Sequence, residues 1–287
     1  MQQKTYLVLW IALTGWLTFE YLVLNRVTSG PSVITWLYHQ LQWVALSEKP
    51  SPEAGKSLSF FLGWVGFCVM CLTNLYIIRK RVPAWQKWGK TAGWLDFHIF
   101  CGLLGPTLIV FHTNLKVGGL VAVSFWAMII TAMSGILGRY LYIQLLSDRA
   151  NLKQTVKAFD KAFVKYQQQS SQEISDDMMR HAKMHAYLYA GGVDPKQATV
   201  SMPFIVWSSF VGDIRTFFSP PPLPWKAPYL VHKKLAQYGI IQRKIKNLAY
   251  FNRMLGYWHS FHVPFASFMY LVAVIHIISA LLFRVDN

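Results

Sequence analysis

Two stretches of the chain carry the same chemistry at the same spacing. His98 and His112 lie fourteen residues apart, and so do His262 and His276. On an α-helix, fourteen steps of 100° return a side chain to within about 40° of its first direction, about 21 Å further along the axis. Each helix would therefore present two imidazoles on one face, one toward either end. An imidazole nitrogen is a ligand for zinc, copper and iron. Zinc or copper calls for donors converging on one point, which two distant pairs do not supply. One imidazole from each of two facing helices, at each of two depths, is the donor set of two bis-histidine haems.

Several neighbours fit a flat macrocycle. Gly102 and Gly105 lie between the first pair, and Gly135 and Gly138 lie in the preceding apolar run. Small residues let a ring approach the backbone, although they serve close helix packing equally well. Arg139, beside Tyr140 and Tyr142, could fork onto a haem propionate or anchor a span at the interface. His259, one turn before His262, is a ligand, propionate contact or relay in reserve. Pro106 and Pro264 sit where they would kink the ligand helices.

The elements that position these residues are spans. Tyr6–Leu24, Leu58–Ile78, Phe97–Val117, Leu120–Leu141 and Trp258–Phe283 are apolar runs of about the 20 residues that cross a bilayer core of roughly 30 Å. The expected fold is an all-α membrane protein of five transmembrane helices, with a four-helix haem-binding bundle and a largely helical cytoplasmic insertion. The expected division is a membrane region over 1–146, the insertion over 147–254 and a final span over 255–287. Nothing before Arg26 resembles a small-residue cleavage site, so the first run reads as an uncleaved span. Its Glu20 should face protein or the interface rather than lipid.

Charge placement supplies a topology. The chain has 28 Lys+Arg against 12 Asp+Glu. Arg79, Lys80, Arg81, Lys87 and Lys90 cluster between spans two and three, and 147–254 holds sixteen basic against seven acidic residues. In 26–56, Arg26, Lys49 and Lys56 are nearly balanced by Glu48 and Glu53. The positive-inside bias then places the N-terminus in the cytoplasm and the C-terminus in the periplasm of a bacterial inner membrane. Spans three and five run parallel in this scheme, so His98 and His262 share the cytoplasmic depth and His112 and His276 the outer depth. Basic charge so distributed reflects topology and anionic lipid rather than nucleic acid.

Other motifs carry less. Cys68-Val-Met-Cys71 has redox spacing but sits in a span, where it reads as two small apolar residues. No His follows Cys71, so covalent haem attachment has no support. His181 and His185 have an i, i+4 spacing that reads as surface chemistry. The insertion begins with a helical pattern from Asp148 to about Gln168, with lysines every fourth residue from Lys153 to Lys165. A polar break over Gln167–Ser171 and a second helix over Glu173–Ala190 follow, ended by Gly191-Gly192. From Met202 to Tyr229 the chain is aromatic and proline-rich, too irregular to span, and expected on the membrane interface or against a partner. A helix resumes near Val231 and feeds the last span. No GxGxxG, P-loop or cysteine cluster occurs.

The arrangement of His98/His112 on one helix and His262/His276 on another resembles the dihaem membrane b-type cytochromes. It is similar to the cytochrome b subunit of quinol–cytochrome c reductases and to the ferric reductase and NADPH oxidase membrane domain. The resemblance covers spans two to five and rests on those four positions. It implies two b-type haems, each gripped by one histidine from either helix, and electron transfer between them. The Pro-Glu-Trp-Tyr quinol-site motif and the nucleotide-binding domain of those families are missing, so neither donor nor acceptor follows from it.

The leading expectation is a dihaem subunit of a membrane oxidoreductase complex. It would link a quinone or a periplasmic cytochrome to a soluble or peripheral redox subunit docked on the cytoplasmic face. Glu20, Asp96 and His259 are the ionisable candidates near a quinone. The alternatives are a transmembrane metal or oxygen reductase acting at the His112/His276 end, and a haem-free membrane anchor.

Overall fold

The computed structural model describes residues 2–41, 50–53, 55–146, 149–170, 173–193 and 201–282. Glu48, Lys49, Asp148, Ser171 and Phe283, used in the sequence reading, lie outside them. Every regular element is helical, with no strand among the described residues. In chain order the helices are α1 (Gln2–Leu24), α2 (Val33–Leu41), α3 (Ser57–Leu72), α4 (Asn74–Arg81), α5 (Thr91–His112), α6 (Gly119–Leu145), α7 (Arg149–Gln169), α8 (Asp176–Tyr189), α9 (Met202–Phe218) and α10 (Tyr229–Leu282). Five are long and apolar enough to cross a membrane: α1, the α3–α4 pair, α5, α6 and the apolar stretch of α10. Each of the five expected runs thus falls in a helix long and apolar enough to span a membrane.

The chain divides into two compact units, 1–136 with 262–287, and 137–261. In the first unit α5 is central, with α3 and α1 packed along it. Glycine sets the α3–α5 approach: a Cβ on Gly66 would come within 2.9 Å of Ile109, and one on Gly105 would overlap Met70. On the α1 side, Trp10 donates to Thr107 Oγ1 at 3.2 Å and Tyr6 stacks on Phe100 at 5.2 Å.

Glu20 is buried, and the reason is local. Its carboxylate accepts from Ser32 Oγ and the Val33 amide, both at 2.7 Å, while Ser32 Oγ accepts from the Thr35 amide. The acid thus satisfies orphan donors at the N-terminus of α2, where negative charge is favoured. This places Glu20 against protein, as its cost in lipid required.

The second span differs from the unbroken run of the sequence reading. It breaks at Thr73 into α3 and α4. The Met70 carbonyl accepts from the Thr73 amide, the Thr73 hydroxyl at 2.7 Å and the Tyr270 hydroxyl at 2.6 Å. Asn74 Nδ2 bonds both the Cys71 carbonyl and the Tyr270 oxygen at 3.2 Å. Local side-chain bonds thus replace the regular ladder, a recognised cause of helix kinks. Below the break, the buried Arg79 donates to the carbonyls of Trp88 and Gly89, folding the basic loop back on α4.

The second unit is built from α7, α8 and α9 with the ends of α6 and α10 that belong to it. Ser175 caps α8 by accepting from the Met178 amide, and Gly191 ends that helix with φ +84°. Phe163, Met179, Ala186, Leu235 and Tyr238 form the core shared by α7, α8 and α10. A Cβ on Gly212 would overlap the Ala190 carbonyl, and one on Gly239 the Ala186 carbonyl. The end of α8 is therefore in backbone contact with both α9 and α10. Arg243 is fully buried. It donates to the carbonyls of Ala190 (2.6 Å) and Ser209 (2.7 Å), to Gln144 Oε1 (3.3 Å) and to Asp213 Oδ1 (2.7 Å). Tyr140 and Gln144 of α6 complete Asp213 at its other oxygen. One ion pair and the hydrogen bonds around it thus tie α6, the end of α8, α9 and α10 together.

Two segments differ in form from the sequence reading. Residues Met202–Phe218, read as irregular, form α9. Pro203 in its first turn is preorganised for a helix start and lacks only a donor that would be unused there. The irregular part is confined to the prolines that follow. The helix resuming near Val231 starts at Tyr229 and runs unbroken for 54 residues through Pro264 into the last span.

Candidate functional site

The four histidines fall in the first unit on two helices, His98 and His112 on α5, His262 and His276 on α10. All four are half-buried. Their hydrogen bonds decide which ring nitrogen is free. His112 Nδ1 lies 2.7 Å from the Ser59 carbonyl of α3. A carbonyl only accepts, so Nδ1 carries the proton and Nε2 keeps its lone pair. The Ser59 hydroxyl returns a 2.7 Å bond to the His112 carbonyl, one of the orphans at the end of α5. Gly63 makes room for this ring, since a Cβ there would stand 2.8 Å from His112 Nδ1.

His98 repeats the pattern one level down. Its Nδ1 is 2.9 Å from the Thr73 carbonyl, at the break between α3 and α4, and the Tyr76 ring lies beside it at 5.5 Å. The break positions that carbonyl, and Tyr270 supports the break. His262 Nδ1 lies 2.6 Å from Ser134 Oγ of α6. Ser134 gives its own proton to the Thr131 carbonyl at 2.9 Å, so its oxygen accepts from the imidazole. Three of the four rings therefore have Nδ1 engaged by a group on a neighbouring helix. That is the usual orientation of a metal-ligating histidine, whose second nitrogen is tied by a carbonyl or similar acceptor.

A largely apolar cleft opens between α3, α5, α6 and α10. His112 and His276 both line it, with Phe60, Gly63, Phe67, Met70, Phe125 and Met269 among the rest. Its lining has the character of cofactor sites, which are mostly apolar with a few placed polar groups. The structure thus brings His112 and His276 onto one cavity. His98 and His262 are not on its lining, and each is fixed by its own neighbours.

Against known proteins the chain stands by itself: no family model, curated protein or solved structure matches it. The site is accordingly read from its own geometry.

The other residues singled out from the sequence take various places. A Cβ on Gly102 would meet nothing within 4 Å, and one on Gly135 would touch only His262, at 3.8 Å. Gly105 instead faces Met70, and Gly138, in the second unit, faces Trp258 so closely that a Cβ would overlap its ring. The Arg139 guanidinium lies 5.9 Å over the Tyr142 ring. His259 is exposed, edge-on to Trp258. Cys68 and Cys71 are exposed and Cys101 is buried, all as free thiols. His181 and His185 are exposed on α8, and no group of three or more His, Cys, Asp or Glu among the described residues converges on a metal position.

Sequence reasoning missed Ser59, Gly63, Thr73, Ser134 and Tyr270. Only Gly63 left a trace, in the Gly63-x-x-Gly66 spacing of a close-packing face. The others are ordinary polar residues in a span until the opposite helix is known.

Proposed function

We propose that this chain is a dihaem b-type cytochrome, the electron-transfer subunit of a membrane oxidoreductase complex. His98 and His262 would ligate one haem, and His112 and His276 the other, at two depths of the bilayer. The observation that carries the reading is the Nδ1 of His98, His112 and His262 held by the Thr73 carbonyl, the Ser59 carbonyl and Ser134 Oγ, together with the apolar cavity that His112 and His276 share. Haem iron between two imidazoles supplies one-electron exchange without an open coordination position. The chain's own residues orient the rings: Ser59 and Gly63 set His112, the Thr73 carbonyl sets His98, and Ser134 sets His262. Phe67, Met70, Phe125 and Met269 exclude water from the His112/His276 end.

On this reading electrons cross the membrane between a quinone or periplasmic cytochrome and a soluble or peripheral redox subunit on the cytoplasmic face. The N-terminus is cytoplasmic and the C-terminus periplasmic, in a bacterial inner membrane. The basic loop after α4 and the basic surface of the second unit would meet the acidic face of that subunit. A pyridine-haemochrome titration of the purified protein tests the central claim. Two b-type haems per chain are expected, with one lost in His112→Ala and the other in His262→Ala. A wild-type protein without haem would overturn it. Alkaline phosphatase fused after the last span should be active if the C-terminus is periplasmic, and inactive if the topology is reversed.

A further inference from the structure

Helix α9 has two apolar faces, and the protein covers only one. Ile205, Val206, Ser209 and Gly212 are buried against the second unit. Phe204, Trp207, Val211, Ile214 and Phe218, at alternating spacings of three and four, are exposed, with Trp207 63% and Phe218 80% accessible. A helix apolar on all sides is stable only when both sides are removed from water. Its charges do not serve the outer face. Asp213 is paired with Arg243 inside the unit, and Arg215 bonds the Tyr189 carbonyl with its guanidinium 3.9 Å over the Tyr189 ring.

What α9 packs against says what covers the exposed face. Val206 joins Leu141 of α6 and Phe251 of α10 in one cluster, and the Tyr140 ring meets Phe210 edge-on at 5.5 Å. Tyr140 and Leu141 belong to the last turns of a candidate membrane span, Val121–Leu145. A helix strapped beside the end of a span lies at the depth where that span leaves the bilayer. The outer face is rich in Phe and Trp, the residue class of the membrane–water boundary. Exposed Lys226 and Lys233 follow it in sequence, suited to anionic headgroups.

We propose that α9 is an interfacial membrane helix, its Phe204–Trp207–Val211–Ile214–Phe218 face immersed in the leaflet where the fourth span ends. The occupant of that face is lipid, not a second protein. This stands whether or not the chain binds haem. It also assigns the second unit a role as a membrane-seated platform rather than a domain hanging free in solution.

The test uses the full chain in vesicles of phosphatidylethanolamine and phosphatidylglycerol. p-Benzoyl-phenylalanine placed at Trp207, Ile214 or Phe218 should form photoadducts to lipid at all three positions, with none at the exposed Lys157 of α7. Adducts to protein in their place, or no lipid adduct at any of them, would overturn the proposal. A second measurement needs no unnatural residue. Lipid brominated near the headgroup end of its chains should quench the tryptophan emission component that Trp207→Phe removes. A Trp207 component indifferent to bromination counts equally against it.

Discussion

In the first unit a glycine, Gly63, makes room for the ring of His112; in the second, Gly212 and Gly239 make room for the backbone of α8. The first unit brings α3 and α5 together at Gly66 and Gly105, opens a cleft beside them, and holds two imidazoles on carbonyls of Ser59 and Thr73. The second brings helices into backbone contact and ties them through one buried ion pair. The difference teaches how such a chain divides its labour. On the proposed function the cleft and held imidazoles of the first unit serve a cofactor, whereas the buried Arg243 of the second joins helices.

The largest effect should come from the buried pair. Arg243→Leu takes the guanidinium from Asp213, which keeps Tyr140 and Gln144, and strands the carbonyls of Ala190 and Ser209, at about 1–3 kcal/mol for each buried group left unsatisfied. Thermal unfolding of the purified protein in detergent should show the loss. The double variant Arg243→Leu/Asp213→Leu should recover only part of it, because the carbonyls of Ala190 and Ser209 still lack their donor. Gly239→Ala drives a methyl into the Ala186 carbonyl, where no flexible side chain can yield. Overpacking of this kind costs about 1–3 kcal/mol, read in the same melts.

Gly63→Ala sharpens the contrast from the other side. Its methyl meets a ring that can swing, so stability should fall less than in Gly239→Ala. On the proposed function, however, the displaced His112 should cost the protein one of its two haems, seen as a halved haemochrome signal. Ser134→Ala removes only the acceptor that orients His262. Loss of such an outer partner weakens metal binding by about 10–100-fold, measurable as faster haem loss to apomyoglobin from that site alone. The smallest change belongs to Tyr270→Phe. It deletes the hydrogen bond to the Met70 carbonyl and the one accepted from Asn74 Nδ2, each worth about 0.5–1.5 kcal/mol. The Thr73 hydroxyl still serves that carbonyl, so the haem count should stay the same.

Much of this molecule is legible along the chain, for identifiable reasons. The five spans follow from local composition alone, because a bilayer demands about 20 apolar residues in a row whatever their neighbours are. The fourteen-residue spacing places His98 with His112 and His262 with His276 on common helix faces, because helix geometry is periodic. The end of α8 at Gly191 is likewise a one-residue signal, a left-handed position that glycine adopts without strain. Glu20 announced that it needed a partner, because a bare carboxylate in lipid is costly, but not that the partner would be the start of α2.

What the tertiary structure alone decided concerns pairs of residues far apart in the chain. Ser59 with His112, Thr73 with His98 and Ser134 with His262 are contacts between helices, and no pattern within one helix encodes which carbonyl or hydroxyl will stand opposite. The break at Thr73 is of the same kind, since Tyr270 from the last span supports it. So is the division of α9 into a protein-facing and an outward face: its sequence is apolar nearly all round, and only packing against Leu141 and Phe251 selects which side is covered. Local composition determines that a segment is helical and how deep in a bilayer it can sit. Which nitrogen of a histidine is left free is determined by whatever the fold brings to the other one.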